Sequence, residues 1–155
     1  MWNLSKILSA LWGLLGVIAL VTLFFLYTNF NSTALLGSMD WGISLDKQRF
    51  FSVFCSLYLL VNLITFIAIR TISGLKSKVK PLLTSLQLPM LVALKTMVVG
   101  ANIFLIILML YVSSTMTTNH AIESWQWLAM MVGPVIILAG LIYLAIILDK
   151  PIANS

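Results

Sequence analysis

The sequence predicts an all-α integral membrane protein, with four transmembrane helices in an antiparallel bundle and both termini in the cytoplasm. Of its 155 residues, 61% are hydrophobic and 8% are charged, and the mean hydropathy is +1.10. Soluble domains carry about 25% charged residues. A chain with so few charges cannot cover a soluble globule with a polar surface, so the composition excludes a soluble enzyme and a nucleic-acid-binding domain.

Four apolar runs are long enough to cross a bilayer, which takes about 20 residues. The predicted spans are residues 7–27, 50–69, 89–112 and 125–148. Lys6 precedes the first run, but about 21 apolar residues exceed the core of a signal peptide, so we expect a retained span. What remains is too short for a separate soluble domain. Residues 1–155 are therefore expected to form a single membrane domain.

Prolines mark two expected irregularities in the helices. Pro81 and Pro89 are expected to bound a short surface helix in the loop of residues 70–88. The third span would then start at Pro89, because a proline in the first turn of a helix loses no hydrogen bond. Pro134 lies inside the fourth span, where it frees the carbonyl of Met130 and is expected to kink the helix.

Basic residues predict the orientation. With four spans, seven of the nine basic residues fall on the side of the termini, whereas only Lys47 and Arg49 fall on the other. The seven are Lys6, Arg70, Lys76, Lys78, Lys80, Lys95 and Lys150. Basic residues of short loops collect in the cytoplasm, so this side is predicted to be cytoplasmic. Within the loop 70–88, the residues expected to contact anionic lipid headgroups are Arg70, Lys76, Lys78 and Lys80.

Lys95 is the charge that lies clearly within a predicted span. One interpretation is a lysine whose stem reaches back to the interface, since its ammonium can extend several ångströms along an apolar surface. The other is a cation that faces a ligand, a lipid phosphate or a carboxylate. Asp149 ends the fourth span on the same side and is the expected charge partner.

Three more polar side chains lie inside the spans, and Asn62 is closer in depth to Lys95 than to Asn102. Asn102 follows Lys95 by two helical turns on the same face, and the second span contains Asn62 and Thr65. These four residues predict an intramembrane polar patch on facing helices. The patch is interpreted either as ordinary hydrogen bonding between helices or as part of a path for a solute or an ion.

Small residues recur at four-residue spacing, which allows close approach of helices in a membrane. The patterns are Ser5-x-x-x-Ser9-x-x-x-Gly13, Thr96-x-x-x-Gly100 and Ala129-x-x-x-Gly133. Packing within the bundle is the default interpretation, and self-association is the alternative.

No pattern indicates a catalytic site, a metal site or a cofactor. The chain has one cysteine, Cys55, and one histidine, His120, so paired-cysteine redox chemistry and bis-histidine haem ligation within one chain are excluded. Asn31-Ser32-Thr33 is a glycosylation sequon, which matters only in a eukaryotic secretory pathway.

Three functions remain from this pattern. The first is a non-enzymatic accessory or structural subunit of a larger membrane assembly, which associates with other subunits or with itself. The second is the protomer of a small-solute or ion transporter or channel, lined by Asn62, Thr65, Lys95 and Asn102. The third is a lipid-modifying membrane enzyme. We expect a multi-pass protein of a plasma membrane of the bacterial inner-membrane type.

Overall fold

A computed structural model describes residues 2–29, 47–74, 81–118 and 124–149 of the chain, and these residues form four helices. The helices are α1 (Trp2–Asn29), α2 (Lys47–Gly74), α3 (Pro81–Thr118) and α4 (Ser124–Asp149). Each contains a stretch that is long and apolar enough to cross a membrane. These stretches are Asn3–Thr28, Gln48–Gly74, Leu86–Tyr111 and Leu128–Asp149. The predictions of an all-α fold and of four helices long and apolar enough to cross a membrane are confirmed for the described residues.

Helix α3 is the centre of the molecule. It contacts each of the other three helices, and 44% of its apolar stretch is buried, against 6% to 17% for the others. The backbones of α1 and α2 approach each other at few points, so long side chains fill the space between them. The large apolar side chains that α1, α2 and α4 leave exposed are the surfaces that a bilayer would cover.

The larger apolar core joins α1, α2 and α3. Ala19 of α1 and Phe50 of α2 are completely buried in it, and Met109 of α3 is almost so. Phe50 and Phe51 meet edge to face with ring centroids 5.1 Å apart, and Tyr27 meets Phe51 in the same way at the same separation. Such pairs add about 0.5–1.5 kcal/mol beyond the area that they bury, and the Tyr27–Phe51 pair joins α1 to α2.

A second core lies closer to the start of α1. Leu8 of α1 is buried there with Val92 and Val99 of α3. Trp12 of α1 and Tyr143 of α4 pack against this group. Leu8 and Val92 belong to the second core, and Ala19 and Met109 belong to the larger one. The second core therefore comes before the larger core along both α1 and α3.

Glycines bring α3 and α4 into close contact. A Cβ atom on Gly100 would lie 2.9 Å from the carbonyl oxygen of Gly133, and one on Gly133 would lie 2.5 Å from Cβ of Phe104. Further along α4, a Cβ atom on Gly140 would lie 2.7 Å from Cγ of Met97. Only residues without a side chain permit this approach. The later glycine of α4, Gly140, contacts the earlier residue of α3, Met97, so the contacts run in opposite directions along the two helices.

The predicted start of the third helix at Pro89 is wrong. Helix α3 begins at Pro81 and continues through Pro89, so there is no separate surface helix. A proline inside a helix removes one backbone hydrogen bond, but the flanking turn is held from outside. The amide of Gln87 donates to the carbonyl oxygen of Ile72 at 2.6 Å, which ties the early turns of α3 to α2.

That hydrogen bond also serves α2. Ile72 lies two residues before the end of the helix at Gly74, among the last four carbonyl groups that have no partner within their own helix. Gln87 is buried, so its amide needs a partner inside the protein. One bond therefore satisfies the end of α2 and the polar side chain of α3. Helix α4 likewise continues through Pro134, which is exposed.

Candidate functional site

The ammonium of Lys95 binds the first turns of α1. Its Nζ donates to the hydroxyl oxygen of Ser5 at 2.8 Å and to the carbonyl oxygen of Ser5 at 3.2 Å. The same carbonyl also accepts the hydroxyl of Ser9 at 3.0 Å. Ser5 is buried and Lys95 is partly exposed, so these bonds lie at the edge of the α1–α3 contact.

The lysine side chain extends toward the start of its own helix. Lys95 lies nine residues after Leu86, where the apolar stretch of α3 begins, which is about 13 Å along the helix axis. Ser5 lies two residues after Asn3, where the apolar stretch of α1 begins. Side chains on a helix tilt toward its N-terminus, and the lysine stem follows this direction. We call the region around Ser5, Lys6 and Lys95 the basic end.

Two asparagines and a tryptophan join α1, α2 and α3 near the middle of the bundle. Asn62 Nδ2 donates to Asn102 Oδ1 at 3.0 Å, and Asn102 Nδ2 donates back to Asn62 Oδ1 at 3.1 Å. Trp12 Nε1 donates to the same Asn62 oxygen at 2.6 Å. We call these three residues the asparagine network. The two asparagines belong to the predicted polar patch, whereas Trp12 was not among the predicted site residues.

Asn62 uses its whole hydrogen-bonding capacity. Its oxygen accepts from Trp12 and Asn102, and its amide nitrogen donates to Asn102 and to the carbonyl of Tyr58 at 2.8 Å. An asparagine side chain has two acceptor and two donor positions, and all four are occupied. Asn102 is completely buried. The network therefore fixes the rotation of three helices about their axes.

The predicted polar patch is divided in the structure. Thr65 donates to the carbonyl of Val61 in its own helix at 2.8 Å and takes no part in the asparagine network. Lys95 binds Ser5 rather than Asn62 or Asn102. Among the residues that the structure describes, no buried side-chain nitrogen or oxygen lacks a hydrogen-bond partner.

The other predicted site residues contribute less. Asp149 is exposed, and no ion pair joins it to Lys95, although both lie in the described part of α3 and α4. Arg70 is also exposed, with its guanidinium carbon 5.8 Å from the centre of the Phe66 ring. Several predicted residues lie outside the described ranges, namely Asn31, Lys76, Lys78 and Lys80.

The described residues contain no group of three histidine, cysteine or acidic residues that could hold a metal ion. Cys55 is a free, exposed cysteine on α2. No known protein family, curated protein or solved structure matches this chain.

Proposed function

We propose that this chain is a non-enzymatic, multi-pass membrane protein that serves as an accessory or structural subunit of a larger membrane assembly. The observation that supports this proposal most is the way its intramembrane polar groups are used. Asn62, Asn102 and Trp12 bind one another, and Lys95 binds Ser5. These groups hold helices together and leave the outward faces of α1, α2 and α4 to apolar side chains.

The same observation weighs against a transport path. A path lined by Asn62, Thr65, Lys95 and Asn102 would need those groups to face a common opening, where they could replace the hydration of a solute. Instead, Asn62 is saturated, Asn102 is inaccessible and Thr65 binds its own helix. A lipid-modifying enzyme has still less support, because no carboxylate lies inside any apolar stretch except at the last residue of α4.

The proposal includes a topology. We place the four helices antiparallel, with both termini in the cytoplasm of a plasma membrane of the bacterial inner-membrane type. Seven basic residues and Asp149 then lie on the cytoplasmic side, for a net charge of +6 there, whereas the opposite side carries Lys47, Arg49 and three acidic residues, for −1. The positive-inside rule favours this orientation. The basic loop of residues 70–88 would contact anionic lipid headgroups.

The partners in this proposal are other membrane-protein subunits or further copies of the chain. The test is purification of the tagged protein from its native membrane in a mild detergent, followed by native mass spectrometry. We expect a complex larger than the 17.2 kDa chain, with a defined stoichiometry. A monomer without any co-purifying protein, recovered in two different detergents, would contradict the subunit role.

The topology is tested separately with a reporter fused to the C-terminus. Two fusions are compared. Alkaline phosphatase is active only outside the cytoplasm, whereas conventional green fluorescent protein becomes fluorescent only when it remains in the cytoplasm. We expect fluorescence and no phosphatase activity. The reverse result would overturn the orientation without bearing on the subunit role.

A further inference from the structure

We propose that Lys95, held by Ser5, is the cationic centre of a binding site for one anionic phospholipid, whose phosphate accepts a hydrogen bond from the ammonium. The site lies at the basic end, on the partly exposed edge of the α1–α3 contact. It uses the proposed insertion in a bilayer but needs no partner subunit. It is also distinct from the loop lysines, which the sequence assigns to general contact with headgroups.

The first argument is the unfinished coordination of the ammonium. An ammonium has three N–H donors, and both of the acceptors that Lys95 finds belong to Ser5. Both acceptors are neutral, and the described carboxylate of α4, Asp149, does not pair with the ammonium. Intramembrane cations pair with backbone carbonyls or with groups of opposite charge, and the bonds to Ser5 leave the third donor position for an anion such as a lipid phosphate.

The second argument is the electrostatic setting. The ammonium contacts the first turn of α1, which begins at Trp2, so it lies near the positive end of the helix macrodipole. Lys6 follows Ser5 in the sequence and adds another positive charge to this turn. The ammonium and the positive start of α1 repel each other. The single negative charge of a phosphodiester beside the ammonium would offset the charge of Lys95 and would strengthen the contact between α1 and α3.

The geometry also explains why a phospholipid is a better candidate than a free anion. The Lys95 backbone lies inside the apolar stretch of α3, while the ammonium reaches the level at which the apolar stretch of α1 begins. In a bilayer that covers the apolar stretches, a headgroup phosphate would lie at that level, and its acyl chains would cover exposed apolar side chains early in α1, such as Leu4, Ile7 and Leu11. A free phosphate gains no such apolar contact.

The test measures lipid affinity for the full chain. Wild-type protein and variants are reconstituted in phosphatidylcholine, and phosphatidylglycerol is titrated. Two quantities are measured, namely the temperature of thermal unfolding and, by native mass spectrometry, the amount of protein with bound lipid. We expect Lys95→Met to weaken phosphatidylglycerol binding by about 30-fold, as for loss of a hydrogen bond to a charged group. Lys95→Arg should retain binding, since arginine also donates to phosphate.

The matched control is Arg70→Gln, which removes one exposed basic group near the basic end. Loss of general surface attraction predicts about a fivefold effect per charge. A 30-fold loss for Lys95→Met beside a fivefold loss for Arg70→Gln supports the site. Equal losses in the two variants would overturn it, because they would assign the lipid effect to net charge alone.

Two further measurements keep the proposal falsifiable if Lys95→Met does not fold. Ser5→Ala keeps the charge but removes one acceptor that positions it, so we expect a smaller but measurable loss of affinity, and unchanged affinity would contradict the site. Inorganic phosphate is titrated in phosphatidylcholine alone. If it stabilises the wild-type protein as much as phosphatidylglycerol does, the ligand is a free anion and the phospholipid assignment is wrong.

Discussion

Substitution of Gly133 by alanine should loosen the contact between α3 and α4. The added Cβ atom would lie 2.5 Å from Cβ of Phe104 and 2.7 Å from the carbonyl oxygen of Gly100. Carbon atoms in favourable contact are about 3.5–4.0 Å apart, so the two helices must separate by about 1 Å. A gap of that size forfeits a quarter to a half of each dispersion contact along the interface.

The expected cost is about 1–3 kcal/mol in the free energy of unfolding, which is the usual range for overpacking. Gly13→Ala is the matched control, because a Cβ atom at Gly13 would have nothing within 4 Å. The same chemical change there should be neutral or should stabilise α1 by up to about 1 kcal/mol through helix propensity. The comparison separates the close packing at Gly133 from the general effect of replacing glycine.

The assay is reversible unfolding of the purified protein by increasing fractions of sodium dodecyl sulfate in mixed micelles, followed by circular dichroism. Gly133→Ala should unfold at a lower detergent fraction than the wild-type protein, and Gly13→Ala should not. Equal stability of the two variants would refute the inference that α4 is held to α3 by direct backbone approach.

Three further outcomes are expected. Leucine at Asn62, Asn102 or both, measured as a double-mutant cycle, should give a coupling energy of about 1 kcal/mol, and a value near zero would mean that the two amides do not pair in the membrane. Gln87→Leu should speed amide hydrogen exchange in the last turn of α2 while leaving its middle protected, and uniform exchange across the helix would contradict a local tie. Cys55 should resist a membrane-impermeant maleimide in intact vesicles but react after denaturation, because hydrocarbon excludes the polar reagent. As a control, Ser73→Cys in a Cys55→Ser background should react in vesicles that are open to the reagent on both sides. Rapid labelling of Cys55 in the intact vesicles would contradict burial in the bilayer.

The four helices were predictable because each apolar run is long and because polar segments separate one run from the next. The start of α3 was not predictable, because the local sequence around Pro89 does not show whether the proline lies in the first turn of a helix or in its interior. Its effect is decided by a contact that the local sequence does not contain. Gln87 binds the carbonyl of Ile72 on another helix, and this bond stabilises the helix upstream of the proline.

The sequence predicted several residues of the candidate site, but it did not predict most of their hydrogen-bond partners. Asn62 and Asn102 were both assigned to the polar patch, but helical rise put Asn62 nearer in depth to Lys95, whereas the structure pairs the two asparagines. The partner of Lys95 is Ser5, 90 residues away, and a lysine with four rotatable carbons can reach toward many acceptors. Trp12 was not predicted as a member of the site. Its donor to Asn62 could be foreseen only once α1 was placed beside α2.

The glycine patterns show the same limit. Four-residue spacing identified Gly100 and Gly133 as points of close approach, but spacing does not name the partner helix. Gly140 was overlooked because it stands seven residues after Gly133 rather than four. That interval is two helical turns, which returns to the same face of α4 and extends the contact to Met97.

The central position of α3 has a consequence for how the protein is made. Helices α1 and α2 meet mainly through long side chains, and their polar contacts to α3 need Gln87, Lys95 and Asn102. At about 5–20 residues per second, the ribosome takes roughly 2 to 9 s to add residues 75–118 after α2 is complete. During that interval Asn62 can bind only Trp12 and its own helix, and Ser5 lacks its bond to Lys95. The nascent hairpin is therefore the stage at which an insertion factor, or a competing subunit, could capture the chain before it closes on itself.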